Sequence, residues 1–69
     1  MTAEQVRALL ERILELVSDY DTQALMLLEV ELGSLNLSGL ETTTHALLLA
    51  LQGYDFEGAS TLLQQALSD

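Results

Sequence analysis

His45 is the one histidine of this sequence, and its imidazole is the side chain best suited to proton transfer or nucleophilic attack near neutral pH. Glu41 lies four residues earlier, a spacing at which two side chains on a helix can touch. The imidazole could accept a phosphoryl group or act as a general acid or base. His45 follows Thr44, which is predicted to face the core, by one position on the helix, so its side chain is expected to face outward. Because no second and third reactive group stands at motif distance, we expect an exposed surface histidine and no enzyme.

Asp19 and Asp21 are two positions apart, as ligands in a calcium-binding loop are, and Glu29 lies further along the chain. The central glycine and the intervening ligands of a calcium loop are missing, so we expect these two aspartates to cap a helix instead. Cysteine is absent, which excludes disulfides and thiolate metal sites. The glycines are scattered singly, so there is no glycine-rich phosphate loop. The sequence predicts neither a bound metal nor a cofactor.

The charge balance is strongly acidic, with 2 Lys and Arg against 11 Asp and Glu and a net charge of −9. Both cations, Arg7 and Arg12, lie close to the N-terminus, which leaves the rest of the chain purely acidic. Such a chain lacks the cations that bind nucleic-acid phosphate or anionic lipid. No apolar run approaches the ~18 residues of a membrane span, and no signal-peptide pattern is present. We expect a cytoplasmic protein whose partners present a basic surface.

Apolar residues recur at helical spacing along the whole chain, and no proline interrupts them. Thr2 and Gln5 form a capping box that predicts the start of the first helix. A second capping box, at Ser38 and Glu41, predicts the start of the third. The predicted helices cover residues 3–18, 22–32, 39–52 and 56–68. Gly33 and Gly53 are expected to close the second and third helices, and Asp55 is expected to cap the fourth.

The chain also resembles itself at an offset of 34 residues, which aligns Tyr20-Asp21 with Tyr54-Asp55. This indicates two αα-hairpins, each bent at a Tyr-Asp corner. The offset equals the period of tetratricopeptide repeats, but the Trp and Leu-Gly signature of their first helix is missing, and two hairpins are fewer than a solenoid needs. We therefore predict an all-α fold, a small antiparallel four-helix bundle forming a single domain over residues 1–69.

Leucine is the most prominent residue, with eighteen copies, and not all of them can face inward. Leu14 and Leu49 lie outside the lines of apolar residues that are predicted to face the core. Met26 likewise lies outside the core-facing line of the second helix. A cluster of such residues marks a protein-binding face. The aliphatic surplus in so short a chain predicts association with another protein or with a second copy of the chain.

Several motifs taken together resemble a known family. They are Leu9-Leu10, Asp19-Tyr20-Asp21, Ala24, Leu27-Leu28, and Tyr54-Asp55-Phe56-Glu57-Gly58-Ala59 with Leu62-Leu63. The pattern resembles the histidine-phosphotransfer-like (HPt-like) helical modules at the C-terminal ends of bacterial hybrid sensor kinases. In that family the phospho-accepting histidine is followed by x-Leu-Lys-Gly. Here His45 and Leu47 remain, whereas Leu48 and Leu49 replace the lysine and the glycine, so the resemblance implies a degenerate module that binds without passing phosphate.

The main interpretation is therefore a non-catalytic protein–protein interaction module that docks on the receiver or kinase domain of a two-component signalling protein. One alternative is an acidic docking or adaptor domain of a large multi-subunit assembly, or a tetratricopeptide-like scaffold fragment. Another is a working phosphotransfer domain with His45 as the phospho-acceptor.

Overall fold

Four α-helices follow one another in the computed structural model, which describes residues 2–68. They are α1 (Ala3–Ser18), α2 (Gln23–Leu37), α3 (Glu41–Gln52) and α4 (Phe56–Ser68). Short corners make consecutive helices antiparallel. Helix α1 packs against α2 and α4, and α3 packs against the same two neighbours, which confirms the predicted all-α four-helix bundle. The predicted domain also includes Met1 and Asp69, which lie outside the described residues.

The core between the helices is almost wholly aliphatic. Its fully or nearly buried apolar side chains are Leu10, Ile13, Leu16, Val17, Ala24, Leu28, Leu35, Leu47, Leu51, Ala59 and Leu63. Burial of one leucine is worth about 1.5–3 kcal/mol, so these contacts are the main source of stability. Thr44 is buried among them, as its place on the α3 stripe predicts. The aromatic side chains stay outside this set, with Phe56 half-buried and Tyr20 and Tyr54 exposed.

Helix α1 begins at the predicted capping box. The Thr2 hydroxyl accepts the backbone N–H of Gln5 at 3.2 Å, and the Gln5 side chain accepts that of Thr2 at 2.9 Å. Two backbone donors that would otherwise be unpaired at the helix start are thereby satisfied. Helices α1 and α4 span the residues predicted for them.

Helix α2 is longer than predicted, because it continues through Gly33 and ends at Leu37. The prediction that Gly33 closes the helix is wrong. A glycine within a helix costs about 1 kcal/mol relative to alanine, whereas continuing the helix buries Leu35 completely. The packing of Leu35 therefore outweighs the weak stop signal.

The predicted capping box of Ser38 and Glu41 is also absent. The Ser38 hydroxyl donates to the Ser34 carbonyl at 3.0 Å, so it serves the end of α2. Helix α3 begins at Glu41, with Leu40 as its N-cap and no side-chain capping bond. Gly39 makes the turn between the two helices with φ +84°, a left-handed conformation that favours glycine.

All three corners of the bundle have the same backbone design. The left-handed position is occupied by Tyr20 (φ 55°), Gly39 (φ 84°) and Tyr54 (φ 58°). The N–H of the next residue then donates back to the helix just ended, as in Asp21 to Leu16 at 2.9 Å and Asp55 to Ala50 at 2.8 Å. This is the Schellman arrangement, and it satisfies carbonyls that a helix end leaves free.

The two Tyr-Asp corners thus repeat in three dimensions. Gly53 ends α3 as predicted, but with φ −90°, and the left-handed turn falls on Tyr54.

The aspartate that follows each corner tyrosine accepts a backbone N–H at the start of the next helix, although the N-cap residue of α2 itself is Thr22. The Asp21 carboxylate accepts the N–H of Gln23 at 2.9 Å, and the Asp55 carboxylate accepts that of Gly58 at 3.0 Å. Asp19 instead occupies the C-cap of α1, so only one of the two aspartates near this corner caps a helix start. The carboxylates of Asp21 and Asp55 lie where the positive end of the helix dipole stabilises them.

Candidate protein-binding surface

His45 lies on the outward face of α3 and is exposed, as its spacing predicts. Glu41 is exposed one turn before it, and Leu49 is exposed one turn after it. Residues 2–68 contain two ion pairs, Arg7–Glu11 at 3.4 Å and Arg12–Glu15 at 3.6 Å, and neither includes the histidine. The imidazole therefore stands in solvent without an ion-paired carboxylate to orient it.

Two other features are absent from residues 2–68. These residues bring together no group of three or more His, Asp or Glu side chains able to hold a metal ion. Nor does any helix of this part of the chain combine the length and the apolar character needed to cross a bilayer.

The three residues that fell off the predicted core stripes lie on three different helices. Leu14, on α1, is half-buried and packs against the core. Met26, on α2, and Leu49, on α3, are 66% and 56% exposed. Met26 and Leu49 are therefore the exposed members of this set, and the apolar neighbours of Met26 decide whether it belongs to a larger surface.

Such neighbours exist along the outward side of α2. Val30 and Leu37 are 78% and 92% exposed, and exposed Gly33 lies between them. Met26, Val30, Gly33 and Leu37 follow one another at steps of 4, 3 and 4, so they form a single line along the helix. We refer to these four residues as the α2 outer stripe. The opposite side of α2 supplies Leu28 and Leu35 to the core, so this helix is apolar on two opposing faces.

The α2 outer stripe runs between two grooves. Beside its first half, Met26 and Val30 line a groove of about 330 Å³ together with Arg12 and Leu16 of α1. At its far end, Leu37 borders a larger groove of about 650 Å³. Val6, Leu10, Leu40, Ala66 and Leu67 provide most of the apolar wall of that larger groove. The stripe and the grooves together form an extended apolar surface, which is larger than the surface of one exposed leucine side chain.

The charges around this surface are mostly negative. Glu29 is exposed on α2, beside the stripe, and no lysine or arginine occurs after Arg12 in the sequence. Arg12, in the smaller groove, is paired with Glu15 at 3.6 Å. Arg7, in the larger groove, pairs with Glu11 and donates to the Leu67 carbonyl at 3.0 Å. Both cations are thus already engaged within the bundle, and the charge around the stripe is predominantly negative.

Sequence reasoning identified Met26 but missed Val30 and Leu37. Leu37 was missed because the predicted end of α2 placed it in a loop. Val30 lies inside the predicted helix, four residues after Met26, but without Gly33 and Leu37 the two residues form a pair and not a line. Continuing the helix through Gly33 would have aligned all four positions on one face. The spacing is therefore the signal that could have revealed the stripe.

No protein-family model, curated protein or solved structure matches this chain.

Proposed function

We propose that this chain is a non-catalytic protein–protein interaction module that docks through the α2 outer stripe. The observation that carries the proposal is the exposure of Met26, Val30 and Leu37, at 66–92%, along one line of a helix whose other face is in the core. A small bundle tolerates isolated exposed leucines, but an aligned apolar stripe that continues into grooves is typical of a surface covered in a complex.

The surroundings of His45 support the non-catalytic part of the proposal. A general acid or base needs a second group to orient it and a cleft that holds the substrate. His45 lies on an open helix face, between Glu41 and Leu49, and neither ion pair of residues 2–68 includes it. The position offers contact to another protein surface rather than enclosure of a small substrate.

The proposed partner is a receiver or kinase domain of a bacterial two-component system. The HPt-like resemblance supports this choice, since its motifs include Tyr20-Asp21 and Tyr54-Asp55, which form the two matching corners. Docking of this kind would place the module in the cytoplasm. An acidic adaptor in a larger assembly is the alternative, and it would use the same stripe with a partner outside signalling.

Nuclear magnetic resonance titration tests the proposal directly. The ¹⁵N-labelled chain is titrated with purified receiver and kinase domains, and we expect amide shifts along residues 26–37. Val30→Gln should weaken binding at least tenfold, because it places an amide where apolar contact is needed. The matched control is Thr61→Gln on α4, which lies diagonally across the bundle from α2.

Each outcome of the titration separates the alternatives. Shifts along α2 with a non-signalling protein alone would support the adaptor and overturn the two-component assignment. Shifts confined to α3 around His45 would overturn the stripe as the docking surface.

A working phosphotransfer domain remains the second candidate, because His45 is exposed on α3 as a phospho-acceptor must be. Incubation with a phosphorylated receiver domain distinguishes it from a non-catalytic module. We expect no acid-labile phosphate on the chain. Phosphate that is present on the wild type and lost in His45→Ala would show that the module transfers phosphate.

A further inference from the structure

The α2 outer stripe has the dimensions of a helix-binding seam. Its first and last residues, Met26 and Leu37, are eleven positions apart, which corresponds to about 16 Å along a helix axis. Steps of 4, 3 and 4 are the spacing with which one helix packs along another at a shallow crossing angle. The stripe therefore matches about three turns of a partner helix.

Gly33 is the residue within the stripe that the fold itself does not explain. It lies inside α2, where glycine is unfavourable, and it has no left-handed φ. A Cβ atom built at this position would meet nothing within 4 Å, so the bundle does not need the space. The missing side chain lowers the middle of the stripe between Val30 and Leu37, where a second backbone can approach closely.

The charge distribution decides between a second copy of the chain and a partner of opposite charge. Each copy carries a net charge of −9, and Glu29 lies exposed beside the stripe. Arg12, near the other edge, is ion-paired with Glu15 at 3.6 Å, and residues 13–69 hold no lysine or arginine. Two copies meeting at this surface would bring like charges together, whereas lysine or arginine on a partner would complement Glu29.

We infer that the α2 outer stripe binds a cationic amphipathic helix of another protein. Apolar side chains of that helix pack on Met26, Val30 and Leu37, its backbone passes closest over Gly33, and its lysine or arginine residues flank Glu29. This inference rests on the proposed function and specifies the element that the partner supplies, in the helix-in-groove mode of recognition.

Two synthetic peptides of about 18 residues, long enough to become helical on binding, test the charge requirement. Both carry leucine at the same heptad positions, and one has lysine where the other has glutamate. With fluorescein-labelled peptides followed by anisotropy, we expect the lysine peptide to bind at least tenfold more tightly, with affinity falling as salt rises. Equal binding of the two peptides, or a preference for the glutamate peptide, would overturn the inference.

Gly33→Gln separates binding from folding. Glutamine favours a helix more than glycine does, so the thermal midpoint should rise, yet its side chain would occupy the low point of the stripe. We expect at least a tenfold loss of affinity for the lysine peptide. Thr61→Gln, which adds the same side chain on α4, should bind as the wild type does. Full affinity in Gly33→Gln would show that the peptide does not lie over this glycine.

Sedimentation of the free chain tests whether a second copy of the chain occupies the α2 outer stripe. We expect a monomer at micromolar concentration. A dimer that Gly33→Gln converts to a monomer would mean that a second copy covers the stripe, and the inference would be wrong. If both peptides fail to bind while a partner protein still shifts residues 26–37, the proposed function stands and only the cationic helix is refuted.

Discussion

Tyr20 packs edge-on against Phe56, with ring centroids 5.6 Å apart and an interplanar angle of 82°. The contact joins the corner between α1 and α2 to the first residue of α4, at the end of the bundle where both Tyr-Asp corners lie. Tyr54 occupies the equivalent left-handed position in the other corner. The two tyrosines therefore share a backbone conformation but differ in what their rings contribute.

Replacing each corner tyrosine by glycine should give different results. A left-handed non-glycine residue costs roughly 1–2 kcal/mol, so Tyr54→Gly should raise the free energy of unfolding by about 1 kcal/mol after the entropy of glycine is counted. Tyr20→Gly also loses an edge-to-face contact worth about 0.5–1.5 kcal/mol, which should cancel the gain. Urea unfolding measures both, and equal gains in the two variants would mean that the contact with Phe56 contributes nothing.

Two glycines should respond to alanine with opposite signs. Gly39→Ala forces a Cβ into a left-handed conformation and should lower the free energy of unfolding by about 1 kcal/mol. Gly33→Ala places the Cβ in open space within α2 and should raise it by up to about 1 kcal/mol. Thermal and urea unfolding test the pair together. A loss at Gly33 would argue that α2 is not continuous there.

Leucines 35 and 37 distinguish the buried and the outer side of α2. Leu35 is fully buried and Leu37 is 92% exposed. We expect Leu35→Ala to cost about 2–5 kcal/mol through the cavity it leaves. Leu37→Ala should change stability by less than about 0.5 kcal/mol. Denaturant midpoints compare the two, and similar costs would contradict a helix that ends at Leu37 with Leu35 inside and Leu37 outside.

Substitutions on the buried and the exposed side of α3 should likewise differ in their effect on stability. Leu47→Asp buries an unpaired charge and should leave the chain unfolded by circular dichroism. His45→Ala should keep the helical signal and change the free energy of unfolding by less than about 0.5 kcal/mol. A loss of several kcal/mol in His45→Ala would place the imidazole inside the bundle.

The capping aspartates can be compared with a neighbour that caps nothing. Asp55→Ala removes the acceptor for the N–H of Gly58 and should cost about 1 kcal/mol. Asp19→Ala, at the C-cap of α1, should cost less than about 0.5 kcal/mol, because no helix start depends on its side chain. Urea unfolding of the two single variants would refute the assignment if Asp19→Ala proved the more damaging.

Helices with local start signals could be predicted from the sequence to the residue. The capping box of Thr2 and Gln5 and the cap of Asp55 act over three residues, so α1 and α4 have the predicted bounds. The junction of α2 and α3 could not be predicted in this way. There Gly33 resembles a stop, yet the burial of Leu35 against other helices decides the outcome, and such a contact is not local in sequence.

The exposed apolar residues of the α2 outer stripe were predicted only in part for the same reason. Met26 could be recognised because it points away from the core-facing residues of its own helical turn. Leu37 required the true end of α2, and Val30 becomes part of a line only together with Gly33 and Leu37. The half-buried place of Leu14 depends on its packing against the core. Apolar periodicity identifies which residues face inward, but which outward residues adjoin a groove is settled by the arrangement of neighbouring helices.

Helix α1 packs against α4, and Arg7 donates to the Leu67 carbonyl at 3.0 Å, so the four helices form a closed ring. Ala3 and Leu67 line the same groove, so the start of α1 and the end of α4 lie side by side. A short linker could join these points and the ring could be opened at Gly39, so that the second hairpin precedes the first along the polypeptide. Each helix would keep both of its neighbours, and such a circular permutant should reach the same architecture.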